Sequence, residues 1–99
     1  MQFFVLFMPK KEFATKGVPA DFQEVELQEQ EQTRALYGKG SLREVWAVEP
    51  KGQGAAVLFE ADSPEHLEEI IHTFPLIKVD YADYQVSQLA PHPAFIKQS

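Results

Sequence analysis

Residues Phe3 to Met8 read FFVLFM, six apolar positions in a row closed by Pro9. A short, continuously apolar run of this kind predicts a strand buried on both faces. A polar loop containing Gly17 follows over residues 10–19. From Ala20 to Tyr37 the pattern turns helical. Asp21 is placed as N-cap with Glu24 three residues on, as in a capping box, and Gly38 and Gly40 end the helix. The middle of this helix, Gln28 to Gln32, is wholly polar, so much of its surface faces water. Leu42 to Glu49 (LREVWAVE) reads as a second strand, Pro50, Gly52 and Gly54 as a turn, and Ala55 to Ala61 (AAVLFEA) as a third strand closing a hairpin. Ser63 and Pro64 open another helix, because Pro fits the first helical position. Leu67, Ile70, Ile71 and Phe74 form the buried stripe of that helix, and Pro75 stops it. Val79 to Leu89 is the final strand, and Pro91 and Pro93 mark a loose tail.

The order β-α-β-β-α-β predicts the split βαβ, ferredoxin-like α+β arrangement: one four-stranded antiparallel sheet with both helices on one face. Residues 1–99 form one domain, with an ordered core over about 2–90 and a C-terminal tail over 91–99. The other sheet face also needs a cover, since the first strand is apolar on both sides. A second subunit packing sheet against sheet supplies one, so a homodimer or higher homo-oligomer is expected. The size points the same way, because a chain of 99 residues buries only about two-thirds of its unfolded surface.

The net charge of −6 speaks against nucleic acid, whose binding rests on Lys and Arg neutralising phosphates, and against an acidic lipid surface. The sequence contains no cysteine, which removes thiolate catalysis and zinc–sulfur sites. The opening apolar run is too short for a signal peptide or a spanning helix and has no basic flank, so a cytoplasmic protein is expected. Glycine-rich phosphate loops, G-x-S-x-G nucleophile motifs and metal-ligand spacings are also missing. Catalysis, if present, would therefore use carboxylates, tyrosines or arginines without a cofactor.

One carboxylate stands out on the first long helix. At about 100° per residue, Phe22, Val25 and Leu36 share a face, and Glu29, seven residues from both Phe22 and Leu36, falls in its middle. A carboxylate inside an apolar stripe is desolvated, which raises its pKa and makes it a better base near neutral pH. The alternative is a slight roll of the helix that lets Glu29 reach water. On the second strand, alternation groups Leu42, Glu44, Trp46 and Val48 on one face and Arg43, Val45, Ala47 and Glu49 on the other. Trp46 beside Glu44 would wall a small-molecule pocket, or else pack in core or interface while Glu44 pairs with a basic residue. Tyr81 and Tyr84, three apart, point to opposite faces, and one of them can reach a pocket as a hydroxyl donor. Arg34 can bind a carboxylate substrate or pair with Glu31. His66 reads as a surface residue.

The stretches GSLREVWAVEP, ADSPEHLEEIIHTFPL and LAPHPAF resemble the muconolactone isomerase family. That family carries a strand of the form W-R-H-L-W, a helix of the form P-S-x-E-x-L followed by P-L, and a closing H-P. Arg43 and Trp46, Ser63, Glu65 and Leu67, Pro75 and Leu76, and His92 and Pro93 match. The resemblance implies a dimeric α+β barrel and a cofactor-free shift of a proton between two carbons of an unsaturated lactone from aromatic catabolism. Relatives eliminate halide in the same pocket. The family's helix glutamate falls on Glu29. Glu26 stands where the family has a basic residue, Glu44 where it has the strand histidine, and Gln53 near its hairpin tyrosine. Two functions follow. One is an isomerase-like or lyase-like enzyme with Glu29 as base, Glu44 as acid, and Trp46, Arg34 and Tyr84 binding substrate. The other is a non-catalytic oligomeric small-molecule-binding or accessory module of the same fold.

Overall fold

The computed structural model describes residues 1–50 and 52–95; Lys51 of the hairpin turn and residues 96–99 of the expected tail lie outside the described residues. The elements are β1 (Gln2–Pro9), α1 (Phe13–Lys16), α2 (Phe22–Lys39), β2 (Leu42–Ala47), β3 (Ala55–Glu60), α3 (Pro64–Ile71), α4 (Pro75–Lys78) and β4 (Ala82–Leu89). A 3₁₀ turn covers Pro93–Phe95.

The strands form one sheet in the order β2-β3-β1-β4, with every neighbouring pair antiparallel. This is the ferredoxin-like α+β topology expected from the element order. Phe3, Val5 and Phe7 of β1 and Val57 and Phe59 of β3 point to the helix side. There they meet Leu36, Leu67, Ile70, Ile71 and Phe74 in a single core. Phe7, Phe59 and Phe74 meet edge-on or tilted, with centroids 5.4–6.2 Å apart, a geometry that adds to their area burial.

Helix ends follow local chemistry in part. The Ser63 hydroxyl accepts the His66 N–H at 3.0 Å and Pro64 opens α3. Gly40, with φ +81°, closes α2. Asp21, by contrast, does not cap α2 with its side chain; its carboxylate accepts the Tyr81 hydroxyl at 2.7 Å instead. The expected capping box is therefore absent, and the helix starts at Phe22 and not at Ala20. The rings of Phe13, Phe22 and Tyr81 pack together with centroids 5.9–6.0 Å apart, so the loop after β1 contains a helical turn, α1, that its polar sequence does not announce. α3 ends at Ile71, before the expected stop at Pro75, and Pro75 instead begins a new helical turn, α4; β4 starts at Ala82 and not at Val79.

Two expectations about faces are corrected. First, β1 is buried on the helix side only. Phe4 is 36% exposed on the other face and Leu6 and Met8 are half-buried, so one chain leaves that face open. Second, strict alternation in β2 is broken. Leu42 pairs with Phe59 and Glu44 with Leu58, so Arg43 is an extra residue, a β-bulge. Leu42, Val45 and Ala47 therefore share the helix side, while Glu44 and Trp46 face the open side. The radius of gyration of 15.1 Å and extents of 57 × 26 × 20 Å, against about 13 Å for a compact 100-residue domain, describe an elongated chain.

Candidate functional site

Glu29 sits on α2 where that helix meets the corner between α3 and α4. Val25 and Leu36 on the same helix are buried and Phe22 is half-buried, so the apolar face read from the spacing is real. The carboxylate is half-buried in it. The Leu76 backbone N–H donates to Glu29 Oε1 at 3.2 Å. Pro75 begins the α4 turn, and the amides of a first turn have no partner within the helix; Glu29 satisfies one of them across the helix seam. Burial pushes the Glu29 carboxyl up from 4.5 to about 7; the Leu76 N–H opposes this and the charge of Glu26 adds to it. At neutral pH such a group is divided between a base that can take a proton and an acid that can return one.

Two further contacts frame the carboxylate. Gln32, one turn along α2, donates from Nε2 to Thr73 Oγ1 at 2.7 Å, and Thr73 Oγ1 donates to the Ile70 carbonyl at 2.6 Å. Thr33 Oγ1 donates to the Glu29 carbonyl at 2.8 Å. Sequence reasoning missed the Leu76, Gln32 and Thr73 partners. The available signal was the T-F-P-L run, in which a proline followed by an unpaired amide marks a new helical turn.

The remaining sequence candidates are scattered. Glu44 and Trp46 lie on the open face, with Trp46 52% exposed, so the sheet separates them from Glu29 within the chain. Glu44 lines a depression of about 450 Å³ with Gln2, Tyr37, Arg43 and Leu58, remote from the helix seam that holds Glu29. Arg34 is exposed and forms no ion pair among the described residues, with Glu31 or any other carboxylate. Tyr84 lies on the helix side of β4 against Phe7, and its hydroxyl donates to Glu68 Oε2 at 2.6 Å. That bond, with burial and the Glu68 charge, pushes its phenol up to about 12. His72 stands edge-on to the Tyr84 ring at 6.2 Å. His66 is half-buried, and its Nδ1 accepts the Asp62 N–H at 3.0 Å. Among the described residues no His, Asp and Glu cluster is placed to hold a metal ion, and no helix is long and apolar enough to cross a membrane.

A four-stranded antiparallel sheet in the order β2-β3-β1-β4 with the split βαβ connections defines the class: a ferredoxin-like α+β domain. Residues 1–94 match the muconolactone delta-isomerase family, and the chain belongs to that family. A muconolactone isomerase of known crystal structure is 25% identical and superposes with a TM-score of 0.78, over 100% of this chain and 98% of the other. The 5-chloro-2-hydroxyhydroquinone dehydrochlorinase TftG of Burkholderia phenoliruptrix AC1100, solved in complex with 2,5-dihydroxybenzoquinone, is 12% identical. Its TM-score of 0.69, over 95% of this chain and 98% of that one, shows a shared fold. No curated protein sequence matches the chain significantly.

Proposed function

We propose that the protein is a muconolactone isomerase-like enzyme, catalysing cofactor-free proton transfer on a small unsaturated lactone or related carbonyl compound from aromatic catabolism. The observation that carries the reading is Glu29: a half-buried carboxyl on an apolar helix face, raised to about 7. The Leu76 N–H engages Oε1, which leaves Oε2 as the oxygen for chemistry. Oε2 removes the acidic proton at one end of the three-carbon unit conjugated with the substrate carbonyl, and the C–H electron pair delocalises into the dienolate. The same carboxyl then returns the proton two carbons away, which shifts the double bond. In a substrate carrying halide on the carbon next to the one that loses its proton, the C–H electron pair instead forms a double bond to that carbon, the C–X pair leaves as halide, and the result is elimination. Glu44 lies across the sheet and is assigned no step with Glu29 in the same chain.

Two copies pair through their open sheet faces in this reading. Phe4, Leu6, Met8, Leu58 and Trp46 give that face its apolar surface, which a monomer would leave in water. The proposal sets the enzyme in the cytoplasm.

The test is proton NMR of muconolactone and related unsaturated lactones in deuterated water, with native protein and Glu29→Gln. Deuterium uptake beside the carbonyl with the native protein, lost in the variant, is the expected result. No uptake above buffer for any lactone would sink the assignment.

A further inference from the structure

Among the described residues, Glu29 and Leu76 form one of two side-chain hydrogen bonds between α2 and the α3–α4 corner. The other joins Gln32 to Thr73, three residues further along α2 and three residues earlier in the corner. The two rungs therefore run antiparallel, one turn apart, along a single seam. The Thr73 hydroxyl is held in orientation because it donates to the Ile70 carbonyl, which turns its lone pairs to Gln32. Thr73 is exposed and Gln32 half-buried, so this rung lies at the wet rim of the seam, with the Glu29 rung the less exposed of the two. Backbone bonds continue the corner rigidly: Tyr81 N–H donates to the Leu76 carbonyl at 2.8 Å, and Ile77 and Lys78 N–H groups donate to Phe74. Leu76 thus moves with the corner, and the corner is fastened to α2 by side chains at Gln32 and Thr73.

We propose that Gln32 and Thr73 are positioning residues for the Glu29 base: their hydrogen bond holds the α3–α4 corner against α2 at the spacing that places the Leu76 N–H on Oε1 and closes the seam to water. The inference rests on Glu29 being the base. Neither residue touches the reacting atoms; both act through the carboxyl. Of the charged groups on α2, namely Glu24, Glu26, Glu31, Arg34 and Lys39, and on the elements packed most closely against it, namely Lys78, Arg43 and Glu44, Glu26 is the one whose charge acts on the Glu29 carboxyl. Desolvation is the largest influence there, so an opened seam that admits water acts mainly by removing it.

The experiment is a carbon-13 NMR titration of the Glu29 carboxyl in native protein, Thr73→Val, Thr73→Ser and Gln32→Leu, with Glu29→Gln to assign the signal. The lactone-exchange rate is measured on the same samples. Val keeps the volume of Thr and removes the hydroxyl; Ser keeps the hydroxyl. Thr73→Val and Gln32→Leu are expected to lower the Glu29 midpoint by about one pH unit and kcat about tenfold, with KM changed by less than about twofold. Thr73→Ser is expected to stay close to native in both. A native midpoint in Thr73→Val and Gln32→Leu, or a Ser variant as impaired as the Val variant, would overturn the positioning role. If the native protein exchanges no lactone proton, the base assignment fails by itself, and the titration still decides whether the rung sets the carboxyl's environment.

Discussion

A carboxyl raised by burial should weaken the fold in a pH-dependent way, and Glu29→Gln measures by how much. The native carboxyl is raised from 4.5 to about 7, so the folded protein binds its proton more tightly than the unfolded chain does. The stability contributed by the protonated group is fully present below about pH 4.5 and is lost as pH rises through about 7. At about 1.36 kcal/mol per pH unit, a fully dry group would lose roughly 3 kcal/mol over that window. Glu29 is only half-buried, and solvent screening reduces the figure to roughly 1–2 kcal/mol. Gln has nearly the same shape, stays neutral and can still accept the Leu76 N–H. Urea unfolding of native protein and Glu29→Gln, at equal protein concentration, should therefore give near-equal stability at pH 4.5. At pH 8.5 the variant should be more stable by roughly 1–2 kcal/mol, or several degrees in Tm. Parallel stability curves from pH 4.5 to 8.5 would show that the carboxyl is not desolvated in solution and would remove the physical basis of the base role proposed for it.

Two further outcomes follow from the sheet. Gly54→Ala places a Cβ against the Phe7 carbonyl at a backbone φ of +109°, so the β2–β3 hairpin must shift away from β1; a loss of roughly 2–4 kcal/mol in urea unfolding is expected, and a change below about 0.5 kcal/mol would contradict the close approach. Leu6→Lys puts a charge in the middle of the open face and is expected to leave helix-side packing intact while abolishing self-association in sedimentation; an unchanged assembly would show that copies do not meet there.

The sequence carried the topology because each element has its own local signature. The apolar β1 run, the S-P start of α3 and its Leu67, Ile70, Ile71 and Phe74 stripe are each read within a few residues, and all four stripe residues are buried. The position of Glu29 was legible for the same reason, since helical periodicity alone places it between Val25 and Leu36. What periodicity could not supply was anything set across elements. The Leu76 amide reaches Glu29 over 47 positions of chain, and Tyr81 takes the Asp21 carboxylate from its expected cap over 60. Nor could it supply a break in its own rule. The extra residue in β2 moves Leu42 away from Glu44 and Trp46 and separates two carboxylates that strict alternation left free to meet.

That extra residue also sets how this strand can change. Substitution at Arg43, Glu44 or Trp46 alters what one side displays and leaves every other side chain where it is. Loss of a single residue at Arg43 would shift the strand's phase, carrying Leu42 out of the core or turning Glu44 and Trp46 in beneath the helices. The two surfaces of β2 are thus independent under replacement and locked together under any change of length. Relatives that preserve the spacing between Leu42 and Trp46 can vary the open side freely, and relatives that alter it must rebuild both sides at once.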